Sequence, residues 1–241
     1  MELKRSFLLL AMIGAFSAPL IAQEYWESAS SDTVEERPFN FQNMMLSFRG
    51  GWSYLAPPME KGSDDLSDHR KDLSTGLHMS MQAVLFPSRQ LGFGINADHF
   101  WTKAENEVVL YELNAVRTGL WKQDIVINYI GPAFYGRVLS PDQDLAFLFN
   151  LSLGKLFYRN DAVFIDPESW RGWTTGYSFG FSVDHKVARK ASLGLSFNHV
   201  FGRLNQITVN DGTVKRTVIL QGDDVIALSR SDVALGIKWY L

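Results

Sequence analysis

Between residue 46 and the final residue, large apolar side chains alternate with small or polar ones in about eight windows of roughly ten residues. Period two means strands, because successive side chains on a strand point to opposite faces. The first window sets Leu46, Phe48, Trp52 and Tyr54 against Ser47, Arg49, Gly51 and Ser53. The cleanest sets Trp173, Thr175, Tyr177, Phe179, Phe181 and Val183 against Gly176, Ser178, Gly180 and Ser182. The last sets Val233, Leu235, Ile237, Trp239 and Leu241 against Asp232, Ala234, Gly236 and Lys238. One face is thus bulky and apolar while the other is mostly Gly, Ser and Ala. An all-β chain of this kind reads as an eight-stranded antiparallel up-and-down transmembrane β-barrel, whose lipid and lumen faces take turns along every strand.

The connectors support that architecture. Residues 86–90, 140–143 and 186–190 are short, whereas 55–72, 102–123, 157–172 and 205–229 are long. Bacterial barrels keep short turns on the periplasmic side and long loops outside, which leaves both chain ends periplasmic. Tyr54, Trp101 and Trp173 then fall at the outer rim, and Phe86 and Trp239 near the inner rim, as two aromatic girdles. The fourth strand, about residues 124–139, is the irregular one: both parities carry apolar side chains, and Pro132 removes a ladder donor. A bulge near Gly131-Pro132 would reconcile them.

Residues 1–22 read as a signal peptide, with Lys4 and Arg5 before an apolar run and Ala22 at the cleavage position. Residues 23–42 crowd Glu24, Glu27, Asp32, Glu35 and Glu36 among serines, the composition of a solvated periplasmic tail. Residues 43–241 form the barrel. The sequence holds no cysteine, which rules out disulfides, thiol catalysis and thiolate metal sites. No basic stripe is present, so nucleic acid is not an expected partner. A soluble lipocalin-like barrel would bury its bulky face and show more Lys and Glu outside than the Gly/Ser/Ala face carries here.

The final Gly236, Trp239 and Leu241 resemble the C-terminal recognition signal of outer-membrane barrels. Together with the strand pattern, the chain is similar to the OmpX, OmpW and OmpA transmembrane families over essentially its whole mature length. That resemblance implies the outer membrane of a Gram-negative-type bacterium. It also implies a monomeric barrel in contact with membrane lipids, lipopolysaccharide and the outer-membrane assembly machinery. A structural or surface-interaction role through the long external loops is the first expectation. Passage of small apolar molecules, as in the OmpW-like proteins, is the second.

Arg49, Asp98, Asp184 and Lys238 have inward parity and are expected to form an interior charge network, since buried charges must be paired. His99 and His199 have outward parity and join Tyr54, Trp101 and Trp173 as lipid-interface residues. Some barrels resembling this one carry a lipid A-modifying site on the outer wall, built from a His-x-Ser pair with a carboxylate. Neither His99-Phe100-Trp101 nor His199-Val200-Phe201 fits, and His78-Met79-Ser80 fits the letters with inward parity. No enzyme activity is therefore expected. Asp64, Asp65, Asp68 and His69 offer oxygen and nitrogen donors, but their spacing is not that of a calcium loop. Asn210-Asp211-Gly212 is a hairpin-turn signal expected to extend strands seven and eight beyond the membrane. Val108, Val109, Leu110, Tyr111 and Leu113 make an apolar second loop, suited to capping the barrel mouth or to meeting a partner. There is no Gly-rich phosphate loop, no triad order and no metal-ligand constellation, and no cofactor is expected.

Overall fold

A computed structural model describes residues 44–56, 67–112, 115–163 and 167–241, with the side chains at 67, 68, 70, 108–112, 115–118 and 223 outside the description. The signal segment, the acidic tail, Asp64, Asp65 and Leu113 lie outside the described residues, as do the side chains of Asp68 and of Val108 to Tyr111. In chain order the elements are β1 (Met44–Leu55), α1 (Ser67–Ser74), β2 (Thr75–Leu85), β3 (Leu91–Glu112), β4 (Ala115–Leu139), β5 (Leu145–Val163), β6 (Pro167–Ala188) and β7 (Ala191–Phe201). There follow the shorter β8 (Arg203–Leu204), β9 (Gln206–Asn210), β10 (Lys215–Ile219) and β11 (Ile226–Ala227), then β12 (Arg230–Tyr240).

Consecutive strands from β1 to β7 pair antiparallel, β7 pairs with β12, and β12 returns to β1. The result is a closed ring of eight strands. Its stagger follows from the register. The hydrogen-bonded row through Ala133 runs by Gly94, Val84 and Met45 to Tyr240 in one direction. In the other it runs by Ser152, Ser178 and Val200 to Arg230, ten residues away on the same strand. With about 3.3 Å per residue and about 4.8 Å between strands, that stagger tilts the strands by roughly 40° and sets a backbone radius of about 8 Å. A ring of this size has room for its own inward side chains and little more.

The faces are inverted relative to a soluble protein. Phe134, Trp52 and Leu235 are 74%, 69% and 67% exposed, while Arg230 and Lys238 are 0% and 2% exposed. The apolar band on β6 runs from Trp173 to Val183. At about 2.5 Å of height per tilted residue it spans about 25 Å, the thickness of the band that transmembrane barrels present to lipid. Water would penalise such a surface by its whole apolar area, so the belt faces hydrocarbon.

The fourth strand has no bulge. Its pairing with β3 is continuous, and its register with β5 is the same before and after the two unpaired positions at Gly131 and Pro132. The apolar residues of both parities have a simpler cause. Ile125, Ile127, Tyr129, Ala133 and Tyr135 point inward into apolar zones, while Val126, Ile130, Phe134 and Val138 face out. At the missing ladder rung, Ser152 Oγ donates to Pro132 O at 2.8 Å.

Two long connectors are extended hairpins. β3 and β4 stay paired up to Glu112↔Ala115, and β5 and β6 up to Val163↔Pro167. The Asn210-Asp211-Gly212 turn does form, with Gly212 at φ +87° and Asp211 Oδ1 accepting from the N–H groups of Thr213 and Val214 at 2.9 and 2.7 Å. Its hairpin departs from the expected extension of strands seven and eight. β9 docks on the β6 edge at Ser169–Arg171, and β10 pairs only with β9. The reason is a break at Gly202, after which β8 pairs with β11 and shifts the chain out of the β7 register.

Candidate functional site: the barrel interior and its outer wall

Alternation along tilted strands stacks the inward side chains in three zones. At the periplasmic end Met45, Val84, Phe86, Tyr135, Leu148 and Tyr240 pack together. At the external end Phe100, Ile127, Leu156, Val200, Leu204 and Leu228 pack together, each at most 1% exposed. Between them lies a buried polar layer. Phe86 belongs to the first group and is therefore not an inner-rim girdle residue. Its ring turns in beneath Arg137, whose guanidinium lies 3.9 Å from the ring centroid. Trp239 does face outward at that rim.

The polar layer holds all four charges expected from parity. Lys238 Nζ lies 2.5 Å from Asp184 Oδ2 and donates to Ser182 Oγ at 2.6 Å. Arg49 Nε donates to Ser80 Oγ at 3.0 Å. Asp98 accepts from His78 Nε2 at 3.3 Å. One hydrogen-bonded row joins these groups, running from Asp184 through Gly194 and Gly236 to Arg49, Ser80 and Asp98. The two glycines make the row possible. A Cβ on Gly194 would sit 1.8 Å from Asp184 Oδ1, and one on Gly236 would sit 2.3 Å from Arg49 Cγ. Gly236, read as part of the assembly signal, thus also makes room for a buried arginine. The signal's Trp239 and Leu241 point outward.

Further charges join the layer. Asp232 accepts from Ser53 and from Asn198 Nδ2, lies 3.2 Å from Arg230 Nε, and stands 3.7 Å from His78 Nε2. His78 therefore sits between two aspartates. Buried Arg137 donates from Nε to Arg89 O at 2.9 Å. Asp232 and His78 were legible as inward by parity. Arg230 sits at the start of its strand and Arg137 on the irregular fourth strand, so neither stood out. Carboxylates and cations out of water need this mutual satisfaction, and an interior closed by apolar packing at both ends supplies no bulk solvent to replace it.

Loop one does not assemble a metal site at His69. α1 leans on the β3–β4 wall, where His69 is buried, bonded from Nδ1 to Asn106 and from Nε2 to Gln123 at 2.8 and 2.9 Å, and stacked on Trp121. Both ring nitrogens are engaged, so the imidazole anchors a helix across the mouth. Among the described residues no group of three metal-ligating side chains converges.

On the outer wall Tyr54, Trp101 and Trp173 lie at the external end of the belt. His99 and His199 are beside them, each bonded to a polar neighbour one strand away: Asn128 at 2.6 Å and Ser231 at 2.8 Å. Their rings rest near Trp101 and Phe201. The His199–Ser231 contact joins residues on different strands, which is why adjacent letters did not reveal it. Among the described residues no carboxylate bonds to His199. As it stands, the pair supplies polarity at the edge of the belt.

No family profile matches the sequence, and no curated protein is significantly similar to it. Solved structures do resemble it. A major outer membrane protein from Thermus thermophilus aligns over 81% of this chain and 98% of its own, at 9% identity and a TM-score of 0.50. OprG from Pseudomonas aeruginosa aligns over 84% and 99%, at 11% identity and 0.48. Neisserial surface protein A aligns over 83% and 97%, at 9% identity and 0.47. At such identities a likeness speaks for architecture alone, and it agrees with the ring, the stagger and the belt: this chain is a small eight-stranded barrel of the outer-membrane type.

Proposed function

We propose that the protein is a sealed outer-membrane barrel that presents a rigid β platform at the cell surface and acts by interaction there rather than by conduction. The observation that carries this reading is the filling of the lumen: a buried, mutually bonded charge layer lies between two apolar plugs inside a ring of about 8 Å radius. The extended β3–β4 and β5–β6 hairpins and the β9–β10 hairpin form the platform, with α1 against its inner side. The test has two arms. Purified barrel in planar bilayers gives no stepwise conductance, and deletion of residues 108–118 leaves the heat-dependent gel shift intact while removing surface binding to cells or matrix. Regular conductance steps from the wild-type protein would refute the sealed reading. Loss of the gel shift on deletion would refute the separation of platform from barrel.

One observation favours passage of small apolar molecules as a second reading. The β6 ladder is interrupted between Arg171 and Tyr177, beside the external apolar cluster. Trp170 packs against that cluster, so an entering brominated alkane would quench its fluorescence. Unquenched Trp170 emission in a variant lacking the other tryptophans would remove this reading.

A further inference from the structure

Above the belt, most outward charges of the platform come in matched pairs. Lys103 meets Asp124 at 2.8 Å, Lys122 meets Glu105 at 3.3 Å, and Arg159 holds Asp161 through Nε at 2.7 Å. One sector departs from this balance. Arg171 on β6 and Arg203 on β8 are exposed, and among the described residues neither has a carboxylate partner. Lys155 on β5 lies with its Nζ 4.8 Å from the centre of the Trp173 ring, again with no acid. Arg159 stands directly opposite Arg171 in the β5–β6 ladder, an arrangement that repels unless an anion lies between the two. Asp161 answers only Arg159.

The height of this sector follows from the stagger. Arg171 belongs to the hydrogen-bonded row of Trp101, by way of Val126 and Arg159. That row climbs toward the external end by about 3 Å per strand from β3 to β6, which puts Arg171 roughly 9 Å above the Trp101 girdle. This is headgroup level. Directly below lies an unbroken aromatic floor, with Tyr177 and Phe201 stacked at 4.6 Å and Phe179 beside Phe201 at 6.1 Å. A cationic shelf over an apolar wall matches a ligand that is anionic at its head and acylated below it.

We propose that Lys155, Arg171 and Arg203 form a binding site for the phosphorylated headgroup of an acylated lipid in the outer leaflet. The guanidinium groups take phosphate oxygens through paired N–H donors, Lys155 adds a point charge, and the acyl chains lie along Tyr177, Phe179 and Phe201. The site rests on the reading of the belt as a membrane-embedded surface, but no platform function is needed for it.

The test uses the refolded full-length mature barrel in zwitterionic detergent and native mass spectrometry. The probes are a bis-phosphorylated, multiply acylated glucosamine disaccharide lipid and the same lipid without its phosphates. The wild-type protein retains the phosphorylated lipid at least about tenfold better, and Lys155→Gln/Arg171→Gln/Arg203→Gln falls to the dephosphorylated level. Equal retention of the two lipids by the wild-type protein, or unchanged retention by the variant, overturns the site. Displacement by inositol hexakisphosphate at the same concentration as the lipid assigns the cations to a soluble polyanion and overturns the lipid assignment. Heated and unheated gels of the same samples separate this outcome from failure of the barrel reading, because only the latter abolishes the shift. Should the triple variant fail to fold, the comparison of the two lipids on wild-type protein still decides.

Discussion

The pairing of Lys238 with Asp184 permits a quantitative test of whether the lumen is dry. The two groups are 2% and 0% exposed and 2.5 Å apart. Lys238→Met leaves a buried carboxylate without its ammonium, and Asp184→Asn leaves a buried ammonium without its carboxylate. Breaking one side of a buried pair costs about 3–5 kcal/mol, whereas replacing both sides with neutral groups is often close to neutral. The double variant should therefore cost less than either single, by about 2 kcal/mol or more, giving a coupling energy of several kcal/mol. Asn at position 184 keeps a partner for Ser182, which now bonds the carboxylate at 3.2 Å. The assay is equilibrium urea unfolding in phospholipid vesicles, followed by tryptophan fluorescence on all four members of the cycle. A solvated pair behaves differently, with single costs below about 1 kcal/mol. Single costs in that range, or a double cost equal to the sum of the singles within about 0.5 kcal/mol, would refute the reasoning and return a continuous wet lumen to consideration.

Depth in the belt sets the cost of a charge on the outer wall: Phe179→Arg should destabilise by about 2–4 kcal/mol and Trp173→Arg by no more than about 1 kcal/mol in the same vesicle assay. His69→Ala removes two hydrogen bonds and a stacking partner from α1. It should free the helix by about 2–3 kcal/mol and speed proteolysis within residues 56–74 without changing the gel shift. The Asp211 carboxyl is held below its ordinary value by the N–H groups of Val214 and Thr213. Its contribution to the β9–β10 turn is complete above about pH 4 and is lost as the pH falls through the lower folded value. Faster amide exchange at Val214 in acid should accordingly vanish in Asp211→Ala, and an exchange rate flat with pH in the wild-type protein would contradict this.

The ring was legible because period two survives on nearly every strand, and Arg49, Asp98, Asp184 and Lys238 were placed inside by parity alone. Their partners were not, since a partner depends on register: nothing local to Asp184 announces Lys238, and nothing local to His199 announces Ser231. Phe86 misled because it stands at a rim position just past the end of β2, where alternation no longer dictates direction and Arg137 can draw its ring inward. The fourth strand misled for the opposite reason. Its alternation is regular, but its inward residues pass from one apolar plug to the other, so both faces read alike. The cationic shelf combines residues from three separate elements, and its height depends on the stagger, which no single window contains.

The seam between β1 and β12 also governs how such a wall can come into being. These strands join residues at the two ends of the ring-forming sequence, Met45 with Tyr240 and Leu55 with Arg230. Until β12 is in place, β1 and β7 each expose a bare row of N–H and C=O groups above and below an apolar sheet, a template for pairing with other chains. Loop closure over nearly the whole chain must come before the pairing that rewards it, so closure is slow and falls at the end of assembly. Partial barrels are then not smaller versions of the finished wall but aggregation-prone sheets, and the last strand works as a latch whose loss leaves none of the earlier ones protected.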